Sequence, residues 1–427
     1  MQKLIKWFFV LLVLASVASA FAQDRIGSPY TRYGVGDLLS RSFGDSKAMG
    51  GTSLALRSTD KLYVANPASY SAIDSLHFVL EVGLTAAMKE IQSQTQTALF
   101  NDFNLDYLSF GFPVTNWWGA SFGLLPYSNV GYDLKSTEIF QGIESNYHYS
   151  GSGGMNQAYF GSSFKLINSL SLGVNINYLF GSIYRTSAVK FLSEDPGMVD
   201  VTKKNSMYFS DFYLTLGLQY DWQLNDENNL TFGLTWENNS NLNAKQDLLV
   251  TNALSISSSV VIDTLLYQGN QEGTITLPMS IGAGMAYEYS DKFILAADFY
   301  MQDWTQAQMF GESDSLGLSQ RVSVGAEWTP DGKKSPGLKY WRKVRYRGGA
   351  YYNNTYLQFD QGDTQIDDFG ISFGLGLPLK RSNTTFNLSL ELGQRGSLQN
   401  DLVREQYIVF GMNFSLSDIW FIKRKFD

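Results

Sequence analysis

From about residue 76 to its end the chain repeats one pattern, in which apolar and polar side chains take strict turns. Phe212, Leu214, Leu216, Leu218, Tyr220 and Trp222 interleave with Tyr213, Thr215, Gly217, Gln219 and Asp221. Phe386, Leu388, Leu390 and Leu392 interleave with Asn387, Ser389, Glu391 and Gly393. Side chains of a strand point to opposite faces in turn, so each segment has one oily face and one polar or small-residue face. A soluble sandwich buries its oily faces against each other. A transmembrane barrel turns them outward to lipid and keeps the polar faces for its lumen. Alternation accepts either fold, so other features must choose.

The start of the chain points to export. Lys3 and Lys6 precede an apolar run from Trp7 to Val17, and small residues lead on to Ala20-Phe21-Ala22. This is the layout of a signal peptide over residues 1–22, with cleavage expected before Gln23. The run falls short of the roughly 20 apolar residues that an anchoring helix needs. There is no cysteine, so disulfides contribute nothing to stability despite export. Every later apolar run is interrupted by polar residues before it reaches helix length, and a bilayer otherwise accepts only closed barrels. The 25 Tyr, 29 Phe and 9 Trp can furnish aromatic girdles at the two membrane interfaces. Of 32 basic residues, Lys3 and Lys6 leave with the signal peptide, so 30 face 40 acidic ones, a net of −10. That balance argues against a nucleic-acid partner.

Residues 23–75 differ from the alternating region. They are rich in Gly, Ser and Asp, lack sustained alternation, and include Gly34, Gly36, Gly44, Gly50 and Gly51. A helical or turn element is expected over Ala48 to Leu56. Beyond them, fourteen strands are expected at about 76–91, 103–114, 117–135, 155–166, 170–190, 206–223, 229–246, 277–289, 293–304, 317–329, 340–357, 365–378, 384–395 and 404–416. Nearly all reach the 9–11 residues that cross a membrane, whereas soluble strands average about 5–6. Short connectors (Thr115-Asn116, Ile167 to Ser169, Ser290 to Lys292, Lys380 to Asn383) mostly alternate with long polar ones (136–154, 191–205, 247–276, 305–316, 358–364). An up-and-down barrel shows this alternation of periplasmic turns and extracellular loops. The expected fold is therefore all-β, a 14-stranded antiparallel transmembrane barrel over 76–416, with a C-terminal tail over 417–427.

The chain resembles the long-chain fatty acid transporter family, the FadL-like outer-membrane barrels that include aromatic-hydrocarbon channels. The likeness rests on the segment Ala48-Met49-Gly50-Gly51-Thr52-Ser53-Leu54-Ala55-Leu56 followed by Asn66-Pro67-Ala68, and on Thr276-Leu277-Pro278 opening the strand Met279 to Tyr289. The third element is the count of fourteen strands after some fifty N-terminal residues. The resemblance implies that residues 23–75 fold inside the barrel as a hatch. It also implies passage of hydrophobic ligands through a greasy internal pocket, with a lateral opening common in the wall. Two features depart from the pattern. The helical extracellular segments that would gather ligand are absent from 191–205 and 247–276, and the last strand is followed by a tail carrying Trp420, Phe421, Lys423, Arg424 and Lys425. That tail suits an anchor at lipid headgroups or a contact with a partner.

Charges on the later strands form the strongest candidate cluster. Lys343, Arg345 and Arg347 alternate with Val344 and Tyr346, so they are expected on one face, which must be the lumen. Arg321 and Arg395 are expected beside them, with the acids Glu288, Asp298, Glu327 and Glu391. Buried bases need partners, so one reading is an ion-pair ladder that props the barrel. The other is that Arg345 or Arg347 forks onto a ligand carboxylate at the end of an apolar pocket. Gly50 and Gly51 either serve tight turns or let the hatch shift, and Asn66-Pro67 with Ala68 is expected to fix the exit into the first strand. His77 and His148 have no acidic or cysteine cluster at metal spacing, and Ser145 with His148 is a poor catalytic pair. No metal, cofactor or enzymatic activity is expected.

The expected function is passive uptake of fatty-acid- or hydrocarbon-like molecules across the outer membrane of a Gram-negative bacterium. The rival is a non-transporting barrel, a subunit or scaffold of a secretion or assembly complex. Outer-membrane lipids, a hydrophobic ligand and a membrane or periplasmic protein are the partners these readings imply.

Overall fold

The computed structural model describes residues 27–140, 142–192, 199–253, 261–314, 316–332, 339–359, 364–379 and 384–419. The expected signal peptide and Trp420, Phe421, Lys423, Arg424 and Lys425 of the tail lie outside the described residues. The alternating ribbons form one antiparallel sheet closed on itself. Its strands are β1 (His77–Gln92), β2 (Thr97–Thr115), β3 (Trp118–Phe140), β4 (Ile143–Ile167), β5 (Leu170–Phe191), β6 (Asp200–Gln223), β7 (Asn228–Glu237 and Ser240–Ala253), β8 (Val261–Leu277 and Ser280–Tyr289), β9 (Phe293–Asp303), β10 (Leu318–Trp328), β11 (Arg345–Phe359), β12 (Thr364–Pro378), β13 (Thr385–Arg395) and β14 (Arg404–Ile419). Counting β7 and β8 as one broken strand each gives the fourteen expected. The ring shuts where β14 pairs with β1, from Arg404 opposite Gln92 to Ile419 opposite His77.

The two faces fall as the alternation requires. On β6, Phe212, Leu214, Leu216, Tyr220 and Trp222 are exposed on the outer wall, whereas Tyr213, Thr215 and Gln219 are buried inside. Closure leaves no sheet edge facing lipid along most of the wall, which is what makes the fold viable in a bilayer. No helix among the described residues is long and apolar enough to cross a membrane.

Three expected loops are strand instead. The described residues of 136–154 belong to the β3–β4 hairpin, those of 247–276 to the β7–β8 hairpin, and 191 and 200–205 to the ends of β5 and β6. Their polar sequences carry no oily face because they rise beyond the hydrocarbon, where neither face meets lipid. The glycine run Gly151 to Gly154 lies inside β4, not in a loop. Gly153 and Gly154 take φ values of 109° and 147°, and a side chain on either would strike the Ser182 or Ser128 carbonyl oxygen.

Residues 27–75 occupy the interior. They hold little regular structure: two 3-10 turns, Pro29–Arg32 and Pro67–Ala72, one helical turn, Gly44–Lys47, and the two-residue strand Asp37–Leu38. The helical turn sits just before Ala48 to Leu56, and the first four residues of that segment form the expected turn. Wall glycines let this segment touch the barrel with its backbone. A Cβ on Gly119 would lie 2.1 Å from the Tyr70 oxygen, on Gly173 2.3 Å from Pro67, on Gly233 2.0 Å from the Leu54 oxygen, and on Gly349 2.2 Å from Met49. These positions come from β3, β5, β7 and β11, so a belt of small residues surrounds the hatch.

Gly233→Val should therefore destabilise by at least the 1–3 kcal/mol typical of overpacking. It would lose the compact, fast-running form on unheated SDS gels at a lower temperature than wild type. Gly348→Ala, whose Cβ meets nothing closer than 3.8 Å, should leave that temperature unchanged.

Candidate functional site

The lower lumen, at the end with the tight turns, holds a buried network of charges. Lys61 of the hatch pairs with Asp45 and lies 3.9 Å from Glu327 of β10. Arg347 of β11 donates through Nε to Glu327 at 2.7 Å and through Nη1 to Asn387 at 2.8 Å, and lies 4.0 Å from Asp45. Arg345 reaches Asp60 of the hatch at 3.5 Å, and the Tyr63 hydroxyl donates to Asp45 at 2.9 Å. Burial alone would push the Asp45 carboxyl up, but Lys61 and Arg347 beside it pull it below its ordinary value. The stability this carboxylate contributes is present above the unfolded pKa of about 4 and is lost as acid carries it through its lowered pKa.

Higher in the lumen the same logic ties other segments to the wall. Asp298 accepts from the backbone N–H groups of Ser53 and Leu54 at 2.6 and 2.9 Å. Arg321 stacks 3.8 Å over the Tyr351 ring and donates to the Gly50 oxygen at 3.1 Å, and Tyr351 donates to Glu391 at 2.8 Å. Arg395 pairs with Asp37 of the hatch strand. Glu288 lies inward near the foot of β8. Lys343 does not join the cluster: β11 begins at Arg345, and Lys343 closes a 3-10 turn over Tyr340–Arg342 outside the wall strand. The alternation that placed it with Arg345 and Arg347 simply starts two residues later.

Gly50 and Gly51 take φ values of 69° and 87°, and a Cβ on Gly50 would lie 2.6 Å from the Ala350 oxygen. The Gly50 N–H donates to Ser372 at 2.8 Å, so this turn is bonded to β10 and β12 on both of its polar groups. Asn66 is wholly buried. It caps the Pro67–Ala72 turn by accepting from the Ala68 N–H at 3.1 Å, and its Nδ2 donates to the Leu54 and Leu218 oxygens at 2.7 and 3.2 Å. Pro67 fits against Gly173 and Gly217.

Several members of these networks escaped the sequence reading. Arg41 pairs with Glu237, which also accepts from Thr215 at 2.9 Å and Ser280 at 2.7 Å. Glu81 accepts from Asn413 and Ser415 at 2.7 and 2.9 Å. Glu237 shares its parity with Gly233 and Thr235, which would have flagged it as inward. For Asp45 and Lys61 the available signal was charge within a segment already placed inside a barrel.

The upper lumen is packed with apolar side chains. Tyr30 and Val35 of the hatch meet Met155, Leu179, Ile183, Phe209, Ile275, Trp304 and Tyr356 of the wall in one buried cluster. The space between Val35, Ile275, Trp304 and Leu316 is about 10 Å³, no more than a single water needs. A cavity of about 160 Å³ lies beside Arg41, Glu237 and Arg321.

One part of the wall is unzipped. β2 and β3 pair only from Leu108 opposite Leu124 down to Thr115 opposite Trp118. Above Leu108, β2 pairs with β1 alone, and β3 bends at a bulge between Pro126 and Ser128. The freed edge of β3 is taken by the hatch: Leu38 and Asp37 pair with Ser128 and Asn129, and Gly27 and Ser28 both donate to the Gly131 oxygen at 2.8 Å. Between this strand and β2 runs a cavity of about 970 Å³, lined by Lys89, Asn104, Asp106, Leu124 and Arg395 among others. Neither Arg345 nor Arg347 lines it or the smaller cavity.

A profile of the family described as BamG matches residues 4–427. No curated protein matches the sequence. Among solved structures, the chain is similar to the Pseudomonas putida toluene transporter TodX (17% identity, 91% of this chain and 100% of that one, TM-score 0.57). It is also similar to the CymD monoaromatic hydrocarbon channel (14%, 90% and 99%, TM-score 0.55) and to a Pseudomonas aeruginosa FadL homologue (12%, 89% and 98%, TM-score 0.57). At these identities the likeness establishes the fold alone, a 14-stranded antiparallel β-barrel.

Removing one member of the lower network leaves the others buried and unpaired. Arg347→Met should cost about 3–5 kcal/mol and lower the gel-shift temperature, while adding Glu327→Gln should restore most of the loss. An Arg347 that served only a ligand would give no such rescue.

Proposed function

The chain belongs to the BamG family, and we propose that it works as a non-transporting barrel, a structural subunit of an outer-membrane assembly complex in a Gram-negative bacterium. The observation that carries this reading is the packed apolar upper lumen. The apolar pocket a hydrophobic ligand would need is occupied by the hatch and wall side chains that pack there. The bases that could have met a carboxylate face Glu327 and Asp60 of the protein itself. Backbone contacts at the glycine belt oppose sliding of the hatch. Catalysis has no part in this reading, and the tail bearing Trp420, Phe421, Lys423, Arg424 and Lys425 is proposed as a contact with lipid headgroups or with the partner.

Passive uptake of hydrophobic molecules keeps one observation in its favour. The unzipped seam gives the 970 Å³ cavity a way out through the wall, on a fold shared with channels for monoaromatic hydrocarbons. In that reading the hatch glycines Gly50 and Gly51 would act as the moving part.

Two measurements separate the readings. Purified protein in planar bilayers should show no steady conductance, and affinity purification in mild detergent should bring down a membrane protein in stoichiometric amount. Recovery of the barrel alone, with cells expressing it taking up labelled toluene or oleate faster than cells lacking it, would establish uptake instead.

A further inference from the structure

The seam leaves a strand edge with nothing on it. From Thr97 to Tyr107, β2 is paired to β1 on one side only, and no other strand among the described residues adds to its second side. That edge runs for about 36 Å at about 3.3 Å per residue. Its outward side chains Leu99, Phe103 and Leu105 are exposed and apolar, as on the lipid-facing wall elsewhere. Unpaired backbone groups next to hydrocarbon cost several kcal/mol each, so an open edge beside lipid favours whatever can pair with it. The facing edge of β3 has already solved this problem by taking up an extended segment, the hatch strand at Asp37–Leu38.

Polar groups line part of the cavity beside the free edge. Thr85 Oγ1, Asn104 Oδ1 and Ser128 Oγ are buried there without a hydrogen-bond partner. Lys47 and Asp106 pair across its floor, and Lys89 lies 3.3 Å from Glu405. An acyl chain would leave both the backbone groups and these side chains unsatisfied. An extended polypeptide satisfies the backbone groups by edge pairing, and alternate residues can face the polar cavity and the lipid.

We propose that the β2 edge is a docking site for a transmembrane-type β-strand of another outer-membrane protein. The strand's apolar side chains would lie beside Phe103 and Leu105, and its small or polar ones toward Thr85, Asn104 and Ser128. The proposal rests on the assembly-subunit reading and names the partner's chemistry.

The test is photo-crosslinking in intact outer membranes, with p-benzoylphenylalanine replacing Asn101, Phe103 or Leu105 in turn and Phe373 on β12, four strands round the wall, as control. All these positions face outward from the lumen, so the barrel should still fold. Strand docking predicts protein adducts at the three edge positions and none at Phe373. Peptide mapping should show each two-residue step along β2 moving the attachment point two residues along one partner segment. Adducts to lipid alone, adducts without that register, or no adducts would overturn it. If a stoichiometric partner still co-purifies under any of those outcomes, only the edge is wrong; if it does not, the assembly reading falls too.

Discussion

Contact between the backbone of residues 48–70 and glycines of the wall is the constraint on which the rest of the structure depends. A barrel lumen normally leaves room for water or for side chains pointing inward. Here Gly119, Gly173, Gly233 and Gly349 remove those side chains at hatch level, so the plug's main chain lies directly on the sheet. Its N–H and C=O groups, which have little helix or ladder to satisfy them, are then met by wall side chains such as Asp298, Ser372, Gln219 and Arg321. Two polar surfaces are desolvated together, and each supplies what the other lacks.

The charges follow from the same burial. Asp45 and Lys61 are carried into the lumen by the hatch and meet Glu327 and Arg347 carried there by strand parity. Replacing such a network with well-packed apolar residues is often no loss in stability, so it is poor evidence of extra strength. It is better evidence of register, since hatch and wall charges interlock in one arrangement that fixes how the plug is seated.

Much of this architecture was legible in the chain. Period-two alternation with outward Phe, Leu and Trp gave fourteen strands, and inward parity put Arg347 and Glu327 on the lumen face, where the structure joins them, along with Asp298, Arg321, Glu391 and Arg395. The pattern failed where its physical cause stops. Beyond the hydrocarbon neither face of a strand needs to be oily, so the outer halves of β3, β4, β7 and β8 read as loops. Next to Val344 the parity ran two residues too far and drew in Lys343, which precedes the wall strand. The unzipped seam was invisible, because strand pairing depends on which neighbour approaches and both edges of β2 have equally good sequences. The hatch contacts were hidden for a related reason: a segment without periodicity announces that it is buried among polar groups but not which ones.

The plug also touches both ends of the ring it fills. Ser28 donates to Glu405 on β14, Tyr30 to the Val403 oxygen beside it, and the Gly44 N–H to Tyr107 on β2, whose hydroxyl in turn receives Asn413 of β14. The β14–β1 junction joins the parts of the wall farthest apart along the chain, which makes it the costliest loop to close during folding. A segment that precedes every wall strand in the chain thus clamps the last ribbon to the second, one on each side of β1, across the seam where the ring closes.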